Sequence, residues 1–302
     1  MAKNNMVNNF KNSLFGWETS DLITYREVHA LFGGCINTHP DVLEFLINKG
    51  EDIHFFHYKS KGNLLGALFL NNKKEIGVDV WRKYPISFDE IILPLSKQAK
   101  FFIPNRCKRL SPVNANSVRN ISFGIFSKKN VCLAKEQFSK KNVKNRRNEF
   151  NKFVREGGRV LSVDDVSTQE LVNIYISLFN KRFAGEVKCY SENNLLDIIT
   201  SLRHMTFGNI LFVHDTPCAF DLIFKSHCNE WIYFDVPNGG VDPSYSHLSV
   251  GSILMSLNID SAKQISEKYN KKMFFSLGVD DERWEYKFRW AERVSLGRVL
   301  TL

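Results

Sequence analysis

The segment VDPSYSHLSVGSILMSLNI, residues 241–259, contains residue types that could bind an anion. It follows the strand-like run WIYFDVP and leads into a helical pattern. The first turn of a helix offers unpaired amides and a positive dipole end, and glycine lets an anion approach the backbone closely. The alternative is that Ser249 only caps a core helix. The predicted phosphate-binding residues are His247, Ser249, Gly251 and Ser252.

Two carboxylates lie on the strands that precede this corner. Asp235, near the end of the run YFDVP, could take a proton from an amine acceptor if burial raises its pKa. Its alternative role is a hydrogen bond to the backbone of the following NGG turn. Asp221 lies inside the apolar run CAFDLIF, where a carboxylate is costly unless it is paired or faces a polar cleft. A structural bond and a substrate contact are both open for Asp221.

Residues 139–159 carry the strongest charge concentration in the chain. Eight basic and two acidic residues here supply six of the nine net positive charges. One apolar stripe at helical spacing predicts a helix over residues 139–156, packed on the body with its cations outward. An anionic membrane surface, tRNA or DNA, and a phosphorylated substrate are the candidate partners, and a plain solvated face is the alternative. The candidate anion- and membrane-binding residues are Lys140, Lys141, Lys144, Arg146 and Arg147.

Composition limits the class of protein. With 302 residues, of which 43% are hydrophobic and 24% charged, the chain is typical of a globular protein with one large or two small domains. It has no secretory signal, and no run reaches the roughly 18 apolar residues of a spanning helix, so we expect a cytoplasmic protein that could touch a membrane surface. Six scattered cysteines and the lack of a His-Glu zinc signature predict neither a disulfide framework nor a metal site.

The two halves of the chain repeat one order of elements. In the first half, the helical segments DLITYREVHALFGG and THPDVLEFLINKG precede the runs DIHFFHYK, NLLGALFLN and EIGVDVW, which predict an antiparallel meander. In the second half we predict a strand, two helices, three strands, a helix, a strand, a short helix and a strand. The polar residues 104–117 are the predicted linker. The expected fold is α+β, with mixed sheets flanked by helices and domains at residues 1–125 and 126–302.

Several motifs resemble known families. The order of elements resembles the GNAT acyltransferase fold, although the positions of its Arg/Gln-x-x-Gly-x-Gly/Ala signature are Ser246, Ser249 and Gly251 here. SHLSVGSILM followed by FSLGVDDERWEYKFRW is similar to tandem GNAT proteins related to the peptidoglycan-bridge aminoacyltransferases. The segments NTHPDVLEFL, KNRRNEFNKFV, AFDLIF and YFDVPNGGVD resemble the Mig-14 family of bacterial proteins over nearly the whole chain. That family is associated with resistance to cationic antimicrobial peptides, with virulence and with the inner membrane.

The resemblance implies a tandem GNAT-like fold with a degenerate first domain and a transfer site in the second. It implies that Tyr286 protonates a leaving thiolate and that Lys287 binds a carbonyl or phosphate oxygen, both from a short helix or turn. The alternation in WEYKFRW by itself favours a strand. With Asp235, these two residues are the catalytic candidates, and acyl-CoA or aminoacyl-tRNA is the implied donor.

Two functional hypotheses are open at this point. The first is an acyl- or aminoacyltransferase-like protein at the cytoplasmic side of the inner membrane, promoting resistance to cationic antimicrobial peptides. The second is a non-catalytic regulatory protein whose basic helix, residues 139–156, binds membrane lipid or nucleic acid. Donor, acceptor and oligomeric state are not indicated by any motif.

Overall fold

The computed structural model describes residues 11–124 and 129–301. The predicted domain boundary between residues 125 and 126 lies outside these residues and stays a prediction. Helices of at least nine residues lie on both sides of it. They are α1 (Leu22–Phe32), α2 (Pro40–Asn48), α3 (Lys140–Arg155), α4 (Thr168–Phe183), α5 (Glu192–Ser201) and α6 (Val250–Lys268).

The helix ends follow from local chemistry. Asp21 caps α1 by accepting a hydrogen bond from the Thr24 amide, and the helix stops at Gly33, whose φ of 75° is readily adopted by glycine. Ser139 caps α3 by accepting from the Asn142 amide, and Gly157 follows the helix with a φ of 81°. The predicted basic helix is therefore confirmed.

Within the described residues the strands form three sheets, whose orders are β1-β2-β3, β12-β5-β11-β10-β9-β8-β6 with β7 beside β9, and β13-β4. The strands are β1 (Trp17–Ser20), β2 (His54–Ser60), β3 (Asn63–Leu70), β4 (Ile121–Ser122), β5 (Asn130–Ala134), β6 (Gly158–Ser162), β7 (Thr206–Phe207), β8 (Asn209–Val213), β9 (Thr216–His227), β10 (Trp231–Val241), β11 (Lys272–Val279), β12 (Ala291–Ser295) and β13 (Arg298–Val299).

The strands β10 and β11 are parallel, and their pairing ends in the middle of the sheet. The register runs from Trp231 opposite Lys272 to Asp235 opposite Ser276. Beyond that point β10 continues against β9 after a register shift, and β11 pairs with β5. The two strands therefore diverge at their carboxyl ends.

The large sheet is covered on both faces, as alternating side chains of β10 indicate. Tyr233 belongs to the core that α1, α2, α4 and α5 build together, so one apolar core joins the two halves of the chain. The next residue, Phe234, packs on the opposite face with Phe275 and Ile259 of α6. On that same face α3 contributes Phe153 to a smaller cluster.

One strand prediction is wrong, one strand was missed, and one open alternative is decided by the structure. EIGVDVW is not a strand of the first sheet, because the place of its third strand is taken by β1. Its alternation reflects burial of Ile76, Val78 and Val80, while the amides of Ile76 and Val78 donate to the Arg106 carbonyl and the Asn37 side chain. β5 was not predicted, and it separates β12 from β11. WEYKFRW is no strand, since residues Glu282–Arg289 form a 3-10 segment, as the family resemblance implied.

The predicted linker, residues 104–117, is packed into the first half. Asn114 is buried and bonds both the amide and the carbonyl of Leu93. The amide of Leu110 donates a hydrogen bond to the Gly297 carbonyl, close to the strand β13, so this segment is not a free loop. The polar residues of this segment therefore form hydrogen bonds between side chains and backbone, and their presence does not indicate an exposed linker.

Candidate functional site

A cleft opens where β10 and β11 diverge. Its volume is about 540 Å³, within the range of small-molecule sites. We call it the central cleft. Its walls come from the carboxyl ends of β10 and β11, the end of α4, the 3-10 segment and a loop of the first half of the chain. Ligands commonly bind where neighbouring parallel strands part in this way, at their carboxyl ends.

Two of the predicted catalytic residues line the central cleft. Lys287 donates from Nζ to the carbonyl of Val279 at 2.9 Å, which ties the 3-10 segment to the end of β11. Burial lowers the pKa of Lys287, although Cys132 and Asp89 oppose this. Tyr286 is 40% exposed at the cleft wall. The structure therefore brings a cation and a phenol to one side of the cavity.

Asp221 also lines the central cleft. It is 8% exposed, and burial raises its pKa to about 6, with Arg182 acting in the opposite direction. Its Oδ1 would lie 2.1 Å from a Cβ at Gly239, so a side chain at that position would displace the Asp221 carboxyl group. Arg182 donates to the Gly239 carbonyl at 2.9 Å and brings a second cation to the wall. A carboxylate with a pKa near 6 is suited to accept a proton at neutral pH.

Asp235 lies next to the cleft and is 1% exposed. Its Oδ2 accepts a hydrogen bond from Ser87 Oγ at 2.7 Å, while its buried Oδ1 has no partner among the described residues. Burial, together with the nearby Asp89 and Glu90, raises its pKa to about 7, and the Ser87 bond acts in the opposite direction. This carboxyl group is therefore sealed by side-chain contacts and does not form the cleft surface.

The loop Ser87–Glu90 of the first half inserts between the diverging strands. Asp89 accepts from the Val279 amide at 3.1 Å and from Arg109 Nη1 at 2.8 Å. Glu90 accepts from Tyr233 Oη at 2.8 Å, and burial raises its pKa. These carboxylates were not predicted, because they lie in a stretch without periodicity. Their only sequence signal is two adjacent acidic residues before the apolar run IILPL.

The predicted phosphate corner lies elsewhere in the fold. A 3-10 turn, Pro243–Leu248, runs directly into α6 at Ser249, which has a φ of 55° and makes no side-chain capping bond. The amide of Ser249 donates to Ser246 O, and the amide of Ser252 donates to Ser249 O. The Lys152 ammonium donates to the His247 carbonyl at 3.0 Å. Gly251 is open, since a Cβ there would meet only Val241 at 3.4 Å.

The structure does not bring the predicted anion-binding and catalytic residues together. His247, Ser249, Gly251 and Ser252 are not among the residues that line the central cleft in the described part of the chain. Arg146 and Arg147 line a second cavity, between α3 and α6. Lys140, Lys141 and Lys144 are exposed on α3 outside both cavities.

Neither a metal cluster nor a membrane span was found in residues 11–124 and 129–301. No group of three or more His, Cys, Asp or Glu side chains in these ranges is arranged to hold a metal ion. None of the helices described there is both long enough and apolar enough to cross a bilayer.

These features define the class of protein. A mixed sheet flanked by helices, with its central parallel pair splayed over a cleft, is the GNAT-like α+β fold that the sequence predicted. Residues 39–299 match the family described as Mig-14, and the chain therefore belongs to the Mig-14 family, as its motifs indicated.

Solved structures agree with this fold. FemX is 6% identical over 94% of this chain and 97% of its own, with a TM-score of 0.57. A conserved protein of unknown function from Bacteroides thetaiotaomicron is 12% identical over 95% of this chain and 100% of its own, with a TM-score of 0.52. At these identities the likeness concerns the fold alone. No curated protein sequence matched the chain.

Proposed function

We propose that this protein is an acyl- or aminoacyltransferase-like enzyme whose transfer site is the central cleft. The observation that carries the proposal is the divergence of β10 and β11 after Asp235 and Ser276, over a cavity lined by Asp221 and Lys287. A transfer reaction needs a proton acceptor for the incoming group and a cation for the developing oxyanion. Asp221 and Lys287, which both line the cleft, can supply these two groups.

In this proposal the roles follow from the chemistry of the groups. Asp221, with a pKa of about 6, accepts the proton that an amine or hydroxyl acceptor loses as it attacks the acyl carbon. Lys287 stabilises the negative charge that develops on the acyl oxygen. Tyr286 gives a proton to the leaving group of the donor. Asp235 supports the site from beneath through its bond to Ser87.

The proposed donors are acyl-CoA and aminoacyl-tRNA, and the proposed biological role is resistance to cationic antimicrobial peptides at the inner membrane. Membership of the Mig-14 family supports this role. Its physical logic is electrostatic: attaching an amine-bearing aminoacyl group to an anionic surface component lowers the negative surface potential, and cationic peptides then bind less strongly.

The test is a thermal-shift titration with acetyl-CoA and with aminoacylated tRNA, followed by release of the labelled acyl group in the presence of inner-membrane extract. We expect one donor to raise the melting temperature and to be turned over. Asp221→Asn should lower turnover by about 100-fold or more, as expected for loss of a general base. Asp165→Asn, an exposed change of the same type, should leave turnover unaltered. If neither donor class shifts the melting temperature or loses its acyl group, the proposal is wrong.

A further inference from the structure

A second cavity lies between α3 and α6. Its volume is about 430 Å³, and it is lined by α3, α6, the segment before α3 and the Arg289–Trp290 pair. We call it the α3–α6 pocket. It shares no lining residue with the central cleft, and its size is that of a small-molecule site.

The floor of the α3–α6 pocket is apolar. Trp290 is 6% exposed, and Phe138 packs against it edge-on with ring centroids 5.7 Å apart. Phe150 of α3 and Leu257 of α6 add further apolar surface. Val143 lines the same pocket but remains 57% exposed, so the apolar surface continues outward to the solvent.

Cations surround this floor. The Arg146 guanidinium lies 4.8 Å from the Trp290 ring and pairs with Glu149 at 2.5 Å, so this cation is already held. Arg147 and Arg289 line the pocket and are exposed, and their side chains have no hydrogen bond or ion pair within the described ranges. Their guanidinium donors are therefore available for an anion at the rim.

Two other charged groups face the pocket. The Lys135 ammonium donates to the Phe288 carbonyl at 2.8 Å and adds to the positive charge. Asp260 opposes it, but burial raises the pKa of this carboxyl group, with Lys263 acting in the opposite direction. A bound anion would raise that pKa further. The four cations that line the pocket outnumber this one lining carboxylate, so the pocket has a net positive rim.

We propose that the α3–α6 pocket binds an anionic phospholipid at a bilayer surface, with an acyl chain on the apolar floor and the phosphate between Arg147 and Arg289. Val143 and Val154 are 57% and 49% exposed and lie 11 residues apart, which is about three turns and the same side of α3. A basic helix with exposed apolar residues on one side is the pattern of an interfacial helix. A nucleic acid fits this surface less well, because Trp290 is buried beneath Arg146 and its ring is not free to stack on a base.

This site goes beyond the proposed transfer reaction and does not depend on it. The two cavities are nevertheless neighbours. The 3-10 segment presents Tyr286 and Lys287 to the central cleft, and its last residue, Arg289, lines the α3–α6 pocket. Lipid bound at the pocket would therefore bring the cleft close to the bilayer.

The test is sedimentation of the full chain with phosphatidylglycerol–phosphatidylcholine vesicles and with pure phosphatidylcholine vesicles. We expect binding to the anionic vesicles, and a roughly tenfold or greater loss of partitioning for the double variant Arg147→Glu and Arg289→Glu. The control is Lys59→Glu with Lys61→Glu, which makes the same charge change at exposed residues of the hairpin between β2 and β3. Val143→Gln removes apolar surface without changing charge and should weaken binding several-fold.

The outcomes separate the alternatives. If the control loses as much binding as the pocket variant, attraction to the vesicles depends only on net charge and the proposal is overturned. Binding unaffected by Val143→Gln would exclude the acyl chain from the pocket. Adding inorganic phosphate or non-aminoacylated tRNA as a competitor of the vesicles identifies the source of the anion. If tRNA binds with the same dependence on Arg147 and Arg289 while the vesicles do not bind, the pocket is a nucleic-acid site and the lipid proposal is wrong.

Discussion

The central cleft and the α3–α6 pocket differ in how their charges are held. In the central cleft, charged groups such as Asp89, Arg182 and Lys287 are partly buried and bonded to backbone or to one another, as Asp89 is bonded to Val279 and Arg109. In the α3–α6 pocket, Arg147 and Arg289 extend into solvent over an apolar floor. Burial away from water shifts pKa values and can prepare groups for proton transfer, whereas exposed cations attract anions without chemistry. The difference suggests a reaction site beside an attachment site.

The positions of the cavities also differ in their consequences for stability. The central cleft lies where the two halves of the chain meet, and residues such as Ser87 and Asp235 bond across that junction. The α3–α6 pocket lies at the periphery of one half. Substitutions around the cleft should therefore affect folding strongly, and substitutions at the pocket rim should affect it little.

The largest effect on the free energy of unfolding is expected from Asp235→Asn, and it should depend on pH. The pKa of Asp235 is raised from 3.8 to about 7 in the folded protein, so the folded state holds the proton more tightly than the unfolded state. The contribution of Asp235 to the free energy of unfolding therefore falls as pH rises from about 4 to 7. Asparagine cannot ionise, so the variant should gain up to about 4 kcal/mol relative to the wild type across that window.

The measurement for Asp235 is urea unfolding at several pH values between 4 and 7. Asp165→Asn, at an exposed position, is the control and should stay parallel to the wild type. A constant difference between Asp235→Asn and the wild type over this range would show that the carboxyl group is not held in a proton-retaining environment, and the contrast between the cavities would be lost.

The next effect concerns Gly240, which follows the cleft-lining Gly239 on β10. A Cβ at Gly240 would lie 2.4 Å from the backbone carbon of Leu178 in α4, and a backbone atom cannot move away cheaply. Gly240→Ala should therefore destabilise the protein by about 3 kcal/mol. Gly251→Ala is the matched control, since its Cβ has space and alanine favours a helix. Denaturant midpoints compare the two, and equal midpoints would contradict the packing of α4 on β10.

The smallest effect is expected at the α3–α6 pocket. Arg147→Ala and Val143→Ala remove exposed side chains, so each should change the free energy of unfolding by less than about 0.5 kcal/mol. The same urea titrations measure this. A loss of unfolding free energy as large as that of Gly240→Ala would show that these residues stabilise the fold. The description of the pocket as an exposed attachment site would then be wrong.

Local patterns predicted most helices and strands of the second half of the chain. Periodic apolar residues and caps such as Ser139 act within one turn of the chain, so their effect can be read directly. The strand β5 was missed because a five-residue run gains its place only by pairing with β11 and β12. The run around Val78 was misassigned because its amides bond side-chain and loop carbonyl groups distant in sequence.

The candidate site was predicted only in part. Tyr286 and Lys287 were found through a family resemblance, and they line the central cleft. Asp221 was noticed because a carboxylate in an apolar strand requires an explanation. Arg182 and Asp89 gave no comparable signal, since an arginine near a helix end and an aspartate in a loop are common everywhere.

The sequence by itself determined the local elements, the family and the concentration of positive charge on α3. Only the tertiary structure decided that Asp221 shares a cavity with Lys287, and that Asp235 is sealed by Ser87, 148 residues away. The physical reason is that helix caps and apolar periodicity act between near neighbours. Burial and electrostatic environment, which set the protonation of a carboxyl group, depend on residues that folding brings together from distant parts of the chain.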